Sequence, residues 1–259
     1  MVPTLQVGGL ILPTHDTFVL LGVLVALGIF AWETRRRHAS DPRLVWVVLG
    51  AVITGGIFAR LSTGWQYWLA SDTPTLTGLF LEGGRSILGG LAGAYLGAVA
   101  TKRLVGYRRS TGDLFAPAVA AGMAVGRVGC FLTEQVGTPT SLPWGITVDP
   151  ETATAMPYCP SCALGVAMHP SFLYEIAFHL VMLGVLLALR TQPRPQGDLF
   201  KIYLLSYGLF RFAVEFVRDN RPLVGPLSGS QVFLLLTVPL LAWYFLRPSR
   251  TQTLRTAPA

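Results

Sequence analysis

Long apolar runs separated by short charged segments dominate this chain. Each run of about 17–20 residues is long enough to cross a hydrocarbon layer of about 30 Å as an α-helix. The predicted helices cover residues 17–33, 44–61, 86–102, 113–132, 171–190, 198–217 and 229–246. This pattern predicts an all-α integral membrane protein with seven transmembrane helices.

Arginine and lysine are concentrated in alternate segments between these runs. They follow the first, third and fifth predicted helices and also fill the tail, residues 247–259. Because positively charged loops stay in the cytoplasm, the N-terminus is predicted outside and the C-terminus inside. The whole chain, 1–259, is then a single polytopic membrane domain with its longest external loop over 133–169.

The composition supports the membrane class and argues against two others. The chain is 52% hydrophobic and only 13% charged, whereas about 25% charged residues is usual in soluble domains. A net charge of +7 does not indicate nucleic-acid binding here, since the arginines lie in short loops between apolar runs. The first run lacks a preceding positive residue and a small-residue cleavage site, so we expect a retained helix rather than a signal peptide.

Three arginines interrupt the apolar runs at a similar depth. Arg60, Arg127 and Arg211 each lie roughly 20–24 Å from the predicted cytoplasmic face, at the helical rise per residue. A guanidinium at this depth is costly unless it is paired or hydrated, and it marks a candidate functional site. The alternative is that each arginine snorkels on its own to the outer headgroups.

The sixth predicted helix carries further charges at helical spacing. The residues predicted to share one face are Tyr207, Arg211, Glu215 and Arg218. An ion-pair ladder that only stabilises the helix does not need two arginines for each glutamate, so the excess positive charge indicates an anionic ligand. Arginine binds phosphate through two parallel hydrogen bonds, and lipid phosphate is the abundant anion at this depth. We therefore predict a phospholipid headgroup as the ligand.

Two other motifs have simpler interpretations. Gly89, Gly93 and Gly97 recur at spacing four in the third helix, which favours close helix packing. Cys159 and Cys162 in the external loop favour a local disulfide, with redox exchange as the alternative. A zinc site there would need two more ligands, and no metal site is predicted.

Several segments resemble the bacterial prolipoprotein diacylglyceryl transferases in order and spacing. They are DLFAPAVAAGMAVGRVGCFL, LPWG, HPSFLYE and GLFRFAVEFVRD, and EGGRSILGGLAG resembles the double-glycine segment of that family's third helix. The resemblance implies transfer of the diacylglyceryl group of phosphatidylglycerol to the lipobox cysteine of a secreted prolipoprotein, with release of glycerol phosphate. It places the reaction at the outer face of the bacterial inner membrane, without a cofactor.

The resemblance also implies roles for single residues. Arg127, Arg211 and Glu215 match family residues and are the predicted catalytic set. A thiolate must displace a phosphate ester at carbon, so cations that stabilise the departing phosphate are the main need, and a base must take the thiol proton. The predicted phospholipid-binding residues are Arg127, Arg60, Arg218, Gly137, His169 and Tyr174.

The chain departs from the family pattern at several positions. Leu88 stands where the family typically has histidine, and Cys130 and Thr133 stand where it has asparagine. The tyrosine near the start of the first helix is replaced by Phe18 or absent. Cys130 is interpreted as a small buried replacement, with a carrier thiol as the alternative. The candidates for the base are Glu215, Glu134 and His169.

Two other functions fit the same sequence features. One is a related transferase with a different lipid donor or a different acceptor. The other is a non-catalytic phospholipid-binding or transport protein that keeps the site without the chemistry. A transporter would tend to contain inverted repeats and matching broken helices, and neither is clear in this sequence.

Overall fold

The computed structural model describes residues 4–81, 84–134, 137–147, 165–220 and 222–246. Helices account for most of these residues. They are α1 (Thr14–Arg36), α2 (Arg43–Ala70), α3 (Leu76–Leu81), α4 (Ile87–Leu104), α5 (Gly112–Thr133), α6 (Ser171–Leu189), α7 (Asp198–Val214) and α8 (Gly229–Leu246). A 3₁₀ turn over Glu215–Val217 directly follows α7. Cys159 and Cys162, with their predicted disulfide, lie outside the described residues.

Three pairs of antiparallel strands occur within the described ranges, one before α1 and two between later helices. Their strands are β1 (Thr4–Val7) with β2 (Leu10–Pro13), β3 (Ile146–Thr147) with β4 (Ala167–Met168), and β5 (Pro222–Val224) with β6 (Leu227–Ser228). The first hairpin turns at Gly8 and Gly9, which have φ of 56° and 84°. Two consecutive residues with positive φ form the tight turn that suits a hairpin, and glycine adopts it without strain.

A helix is present at each of the seven predicted places, but some of the ends differ. Helix α2 continues through Arg60 to Ala70 instead of ending at residue 61. Helix α7 ends at Val214, and Arg218 has an extended backbone after the 3₁₀ turn. The prediction of a continuous helix to 217 is therefore wrong. Helix α3 and the hairpins were not predicted.

Within the described residues, four helical segments are long and apolar enough to cross a membrane. They are Thr14–Arg36, Arg43–Gly64, Gly112–Thr133 and Ser171–Leu189. Large apolar side chains along α1 and α2, such as Leu20, Leu24 and Ile53, remain exposed in the isolated chain. An exposed apolar surface of this kind suits lipid contact, and the chain is accordingly an all-α membrane protein.

The chain folds into two compact units. The first unit contains Met1–Thr34 and Ser110–Ala259, and the second contains Arg35–Arg109. The second unit is built on α2 and α4, which run antiparallel: Gly50 lies against Gly97, whereas Gly55 lies against Gly90 and Ala94. The close packing predicted for the glycines of α4 is confirmed.

The first unit is organised around α5. Small side chains line this helix, and Gly122 lies directly against the backbone of Gly22 in α1. At the start of α5, the Asp113 carboxylate accepts hydrogen bonds from the backbone N–H of Gly197, at 3.0 Å, and of Leu199, at 3.1 Å. Asp113 thus fixes the start of α7 beside the start of α5. The buried core between α5, α6 and α7 contains Ala116, Ala120, Met182, Leu186, Leu199 and Tyr203.

Candidate active site

Three arginines and two glutamates form one buried network where the end of α5, the start of α6 and the end of α7 meet. Arg127 of α5 pairs with Glu175 of α6, and Arg211 of α7 pairs with Glu215. Arg218 joins the two pairs, because its Nη1 lies 2.6 Å from Glu175 Oε1 and its Nε lies 4.0 Å from Glu215 Oε2. Four of the predicted site residues, Arg127, Arg211, Glu215 and Arg218, are therefore brought together.

The network is shielded from solvent. Glu175 is 0% exposed, Arg127 is 5% exposed and Arg211 is 6% exposed. Charged side chains that are buried to this extent need a partner of opposite charge, because removing one partner leaves an uncompensated charge inside the protein. Among the described residues, three guanidinium groups of this network face two carboxylates, and this excess of positive charge suits an anionic ligand.

Polar groups from the segment after α7 hold Glu215 in place. Its Oε1 accepts hydrogen bonds from the Ser228 hydroxyl and, at 2.8 Å, from Asn220 Nδ2. Gln231 in turn accepts a hydrogen bond from the Ser228 backbone N–H at 3.0 Å. With one oxygen occupied in this way, the other is directed to Arg211. These hydrogen bonds fix the Glu215 carboxylate, and the fixed carboxylate orients the Arg211 guanidinium.

An aromatic ring separates two of the arginines from the surrounding helices. The Phe172 ring lies 5.5 Å from the guanidinium carbon of Arg127 and 4.6 Å from that of Arg218. A cation over the face of an aromatic ring is attracted by the ring quadrupole. Phe172 thus gives the two guanidinium groups a shared apolar wall that limits their orientations.

A layer of buried rings follows the network along α6 and α7. His179 Nδ1 lies 3.2 Å from the Tyr203 hydroxyl, and the His179 ring is 5.0 Å from that of Tyr207. Both tyrosines and His179 are fully or almost fully buried. Tyr207, which was predicted to share a face with Arg211, thus belongs to this aromatic layer. His179 was not singled out from the sequence, because a lone histidine in an apolar run gives no sign of its partners.

Gly137, His169 and Tyr174 form a second cluster beside the network. The Gly137 backbone N–H donates to the His169 carbonyl at 2.8 Å, and a side chain at Gly137 would collide with the Val217 carbonyl. The Tyr174 hydroxyl lies 3.0 Å from His169 Nδ1 and accepts a hydrogen bond from Trp144 at 2.8 Å. The first turn of α6 thus ties the described part of the external loop to the segment that carries Arg218.

Arg60 is the one predicted site residue in the second unit. It lies within α2 and is half-buried. Its predicted contact with the phospholipid remains a prediction.

A third cluster adjoins Arg127. His15 Nε2 lies 3.3 Å from Glu134 Oε1 and 3.7 Å from Cys130 Sγ, and Arg127 Nη1 lies 3.7 Å from the same sulfur. Burial raises the pKa of Glu134, but hydrogen bonds with His15 and Cys130 lower it further, to about 2. Glu134 is therefore a carboxylate at neutral pH.

The pairing of Glu175 with Arg127 and Arg218 could not be predicted from the sequence. Glu175 lies in the early turns of α6, where the helix dipole already favours a negative charge. The pair with Arg218 joins residues 43 positions apart in the chain, and no local pattern encodes such a contact. The only available signal was the position of Glu175 inside the HPSFLYE motif.

Comparison with known proteins identifies the family. A family model described as prolipoprotein diacylglyceryl transferase matches residues 4–247. A phosphatidylglycerol–prolipoprotein diacylglyceryl transferase of Acaryochloris marina is 31% identical over 244 residues, which are 87% of this chain and 86% of that protein. The protein of the same name from Nitratidesulfovibrio vulgaris is 32% identical over 259 residues, covering 91% and 92%. That from Bordetella avium is 33% identical over 193 residues, covering 73% and 68%. The resemblance predicted from the motifs is confirmed, and the chain belongs to the prolipoprotein diacylglyceryl transferase family.

Proposed function

We propose that this enzyme transfers the diacylglyceryl group of phosphatidylglycerol to the lipobox cysteine thiol of a secreted prolipoprotein. The names of the relatives specify the donor and the acceptor class. The observation that carries the proposal for this chain is the buried network with more guanidinium groups than carboxylates. Such a network suits a reaction in which negative charge develops on a phosphate.

In the proposed reaction, the cysteine thiolate attacks the glyceryl carbon that bears the phosphate. A C–S bond forms, the C–O bond breaks, and the electron pair goes to the oxygen of the departing glycerol phosphate. Arg127 and Arg211 donate hydrogen bonds to the phosphate oxygens and stabilise the charge as it develops. Glu215 orients Arg211, and Glu175 positions Arg127 and Arg218. Arg218 contacts the lipid headgroup.

Gly137, His169 and Tyr174 border the same site in this proposal. The hydroxyl and ring groups of Tyr174 and His169 are hydrogen-bonded to each other, which presents a polar edge to the glycerol headgroup. Gly137 keeps the loop backbone close to Val217, next to Arg218. The cluster thus contributes shape and polarity, whereas the arginines contribute charge.

The proposed location is the inner membrane of a bacterium, with seven membrane spans, the N-terminus outside and the C-terminus in the cytoplasm. Four helices meet the length and hydropathy expected of a span. The arginine-rich segments support the orientation, since they all fall on one side when seven helices alternate. Helices α4, α7 and α8 complete the count in this topology.

The decisive experiment uses the full chain reconstituted with labelled phosphatidylglycerol and a lipobox peptide. We expect label on the peptide with the wild type and none above background with Arg211→Ala. Label transferred from phosphatidylethanolamine instead would favour the related transferase with another donor. Phospholipid binding by the wild type without any transfer would contradict the proposal and favour the non-catalytic alternative.

A further inference from the structure

His15, Cys130 and Glu134 bring three metal-binding atoms together outside the arginine network. The histidine nitrogen, the sulfur and a carboxylate oxygen all lie within 4.8 Å of one another. His15 lies in the first turn of α1, whereas Cys130 and Glu134 lie at the end of α5. The histidine and the cysteine are 115 positions apart, so the fold, and not local sequence, assembles this cluster.

The distances suit ligands that surround one ion. Ligands of a tetrahedral zinc ion lie about 3.3–3.6 Å from each other, given zinc bond lengths of about 2.0–2.3 Å. His15 Nε2 lies 3.3 Å from Glu134 Oε1 and 3.7 Å from Cys130 Sγ. Both contacts meet at the same nitrogen, and a single N–H serves two acceptors poorly. An ion shared by all three atoms satisfies them together.

The other ring nitrogen of His15 has the partner expected of a zinc ligand. Its Nδ1 lies 3.3 Å from Asp16 Oδ1. A metal-binding histidine usually donates its second N–H to a carboxylate, which fixes the ring and leaves the opposite nitrogen free to bind the metal. This contact is independent of the three-residue cluster, and it points Nε2 toward Cys130 and Glu134.

Backbone packing holds the two helices at the required separation. A side chain at Gly129 would meet the His15 carbonyl oxygen at 3.1 Å and the His15 Cα at 3.3 Å. Glycine at this position therefore lets the start of α1 lie directly on the end of α5. The three ligand atoms are brought together by this contact before any ion binds.

The charges also match a divalent ion. A Cys130 thiolate and the Glu134 carboxylate supply two negative charges, which balance Zn²⁺. Arg127 donates a hydrogen bond to the sulfur at 3.7 Å.

We propose that His15, Cys130 and Glu134 hold a zinc ion whose fourth position binds the acceptor cysteine as a thiolate. The role of the ion rests on the proposed function, whereas its binding does not. The thiol proton passes to water on the exposed side of Glu134 when the sulfur binds, since zinc coordination deprotonates a thiol. The thiolate then attacks the glyceryl carbon as described above. The ion thus performs the deprotonation in a chain that has Leu88 in place of the family's typical histidine.

Zinc activation also fits the chemistry of Cys130 better than a covalent role. If Cys130 accepted the diacylglyceryl group itself, the product would be a thioether. A second thiol does not readily displace an alkyl group from an uncharged thioether, because the thiolate is a poor leaving group. This chemistry argues against Cys130 as a carrier of the diacylglyceryl group.

The metal is tested first, without substrate. Full-length protein without a polyhistidine tag is purified in detergent, equilibrated with micromolar zinc and analysed by mass spectrometry of the element. We expect about one zinc ion per chain, the stoichiometry of a single site. Cys130→Asn, which restores the residue typical of the family, and His15→Ala should abolish binding. Asp16→Asn should weaken it by about 10–100-fold. Cys159→Ser/Cys162→Ser is the control for the loop cysteines and should bind as the wild type does.

Cobalt substitution identifies the sulfur ligand. The wild type loaded with Co²⁺ should have a thiolate-to-cobalt charge-transfer band that is absent from Cys130→Asn. A wild type that takes up no zinc overturns the proposal, as does a band that survives in Cys130→Asn and disappears in the loop control.

The role of the ion is tested by removing it. Chelation should stop peptide lipidation, and added zinc should restore it; undiminished transfer after zinc removal overturns the role in thiol activation. If the wild type binds zinc at Cys130 but transfers no lipid, the metal site stands and the proposed function fails.

Discussion

Different interactions hold the helices together in two regions of the molecule. One region is the α2–α4 pair of the second unit, and the other is the site in the first unit where α5, α6 and α7 meet. Between α2 and α4, glycines bring the backbones into contact, as at Gly50, Gly55 and Gly93. Between α5, α6 and α7, buried arginines and glutamates meet over an aromatic ring. The α2–α4 contact therefore depends on the small volume of glycine, whereas the contact between α5, α6 and α7 depends on paired charges.

The α2–α4 pair shows that two helices of this chain can pack closely through glycine contacts. The described glycine contacts of the α2–α4 pair are with backbone atoms and with uncharged side chains such as those of Thr54 and Phe58. A buried ion pair is also often no more stabilising than apolar residues of the same volume, because both charges lose their hydration. We therefore propose that the three arginines of the network, Arg127, Arg211 and Arg218, serve a ligand, and the planar guanidinium fork suits phosphate.

The largest effect on stability is expected from Glu175→Gln. This change leaves Arg127 and Arg218 without their shared carboxylate inside the protein, and breaking a buried pair costs about 3–5 kcal/mol. The free energy of unfolding, measured by denaturing-detergent titration of the micellar protein, should fall by that amount.

Lys201→Gln is the matched control for a charge pair near the surface. Lys201 Nζ lies 2.9 Å from Asp198 Oδ1, and both side chains are partly exposed. Losing such a pair costs about 0.2–1 kcal/mol. If Glu175→Gln were no more damaging than Lys201→Gln, the first unit would not depend on buried charge.

Arg211→Lys is expected to reduce activity while preserving the buried charge. Lysine can still pair with Glu215, but it lacks the planar fork that holds two phosphate oxygens at once. The rate of peptide lipidation should fall about 100-fold, or about 2.7 kcal/mol, the loss typical of one donor to a developing negative charge.

A measurement of stability shows whether the lost activity of Arg211→Lys comes from the chemistry or from the fold. The unfolding midpoint of Arg211→Lys should stay close to that of the wild type. A rate unchanged from the wild type would mean that Arg211 makes no bidentate contact with the departing phosphate.

The helices could be predicted from the sequence, but several of their ends could not. A long run of apolar residues predicts a helix, because an α-helix satisfies the backbone hydrogen bonds of the segment within itself when lipid surrounds it. A charge inside the run does not end the helix, however, and α2 continues through Arg60 to Ala70. The end of α7 could not be predicted either, since Glu215 leaves the regular helix to meet Ser228 and Asn220.

The site was predicted only in part, for a related physical reason. Arg127 and Arg211 are recognisable because a guanidinium deep in an apolar run is costly. Glu175 and His15 are not recognisable, because their partners lie far away in the chain and each looks like an ordinary residue at a helix start. The cost of an isolated charge can be read from sequence, whereas the identity of its partner depends on the fold.

A side chain added between α2 and α4 should have a moderate effect. In Gly93→Ala, the new methyl group would meet the Thr54 carbonyl oxygen at 2.6 Å and the Phe58 side chain. Overpacking of this kind costs about 1–3 kcal/mol, again measured as the free energy of unfolding.

Gly56→Ala provides the control on α2 itself. A methyl group at Gly56 meets nothing within 4 Å, so this variant should match the wild type or exceed it by up to about 1 kcal/mol, since alanine favours helix. If Gly93→Ala and Gly56→Ala lost the same free energy of unfolding, the close approach of α2 and α4 would not depend on the small volume of Gly93.

The smallest effect is expected from Thr54→Val, which removes a hydrogen bond but keeps the volume. Thr54 Oγ1 lies 2.8 Å from the Gly93 carbonyl across the helix pair and 2.6 Å from the Gly50 carbonyl within α2. Its single proton serves only one of these acceptors at a time, and both carbonyls belong to helices. Hydrogen bonds between membrane helices average about 0.6 kcal/mol, so Thr54→Val should lower the free energy of unfolding by about that amount. If Thr54→Val were more destabilising than Gly93→Ala, a polar contact would hold the α2–α4 pair together. Both regions would then depend on polar interactions and would differ only in their strength.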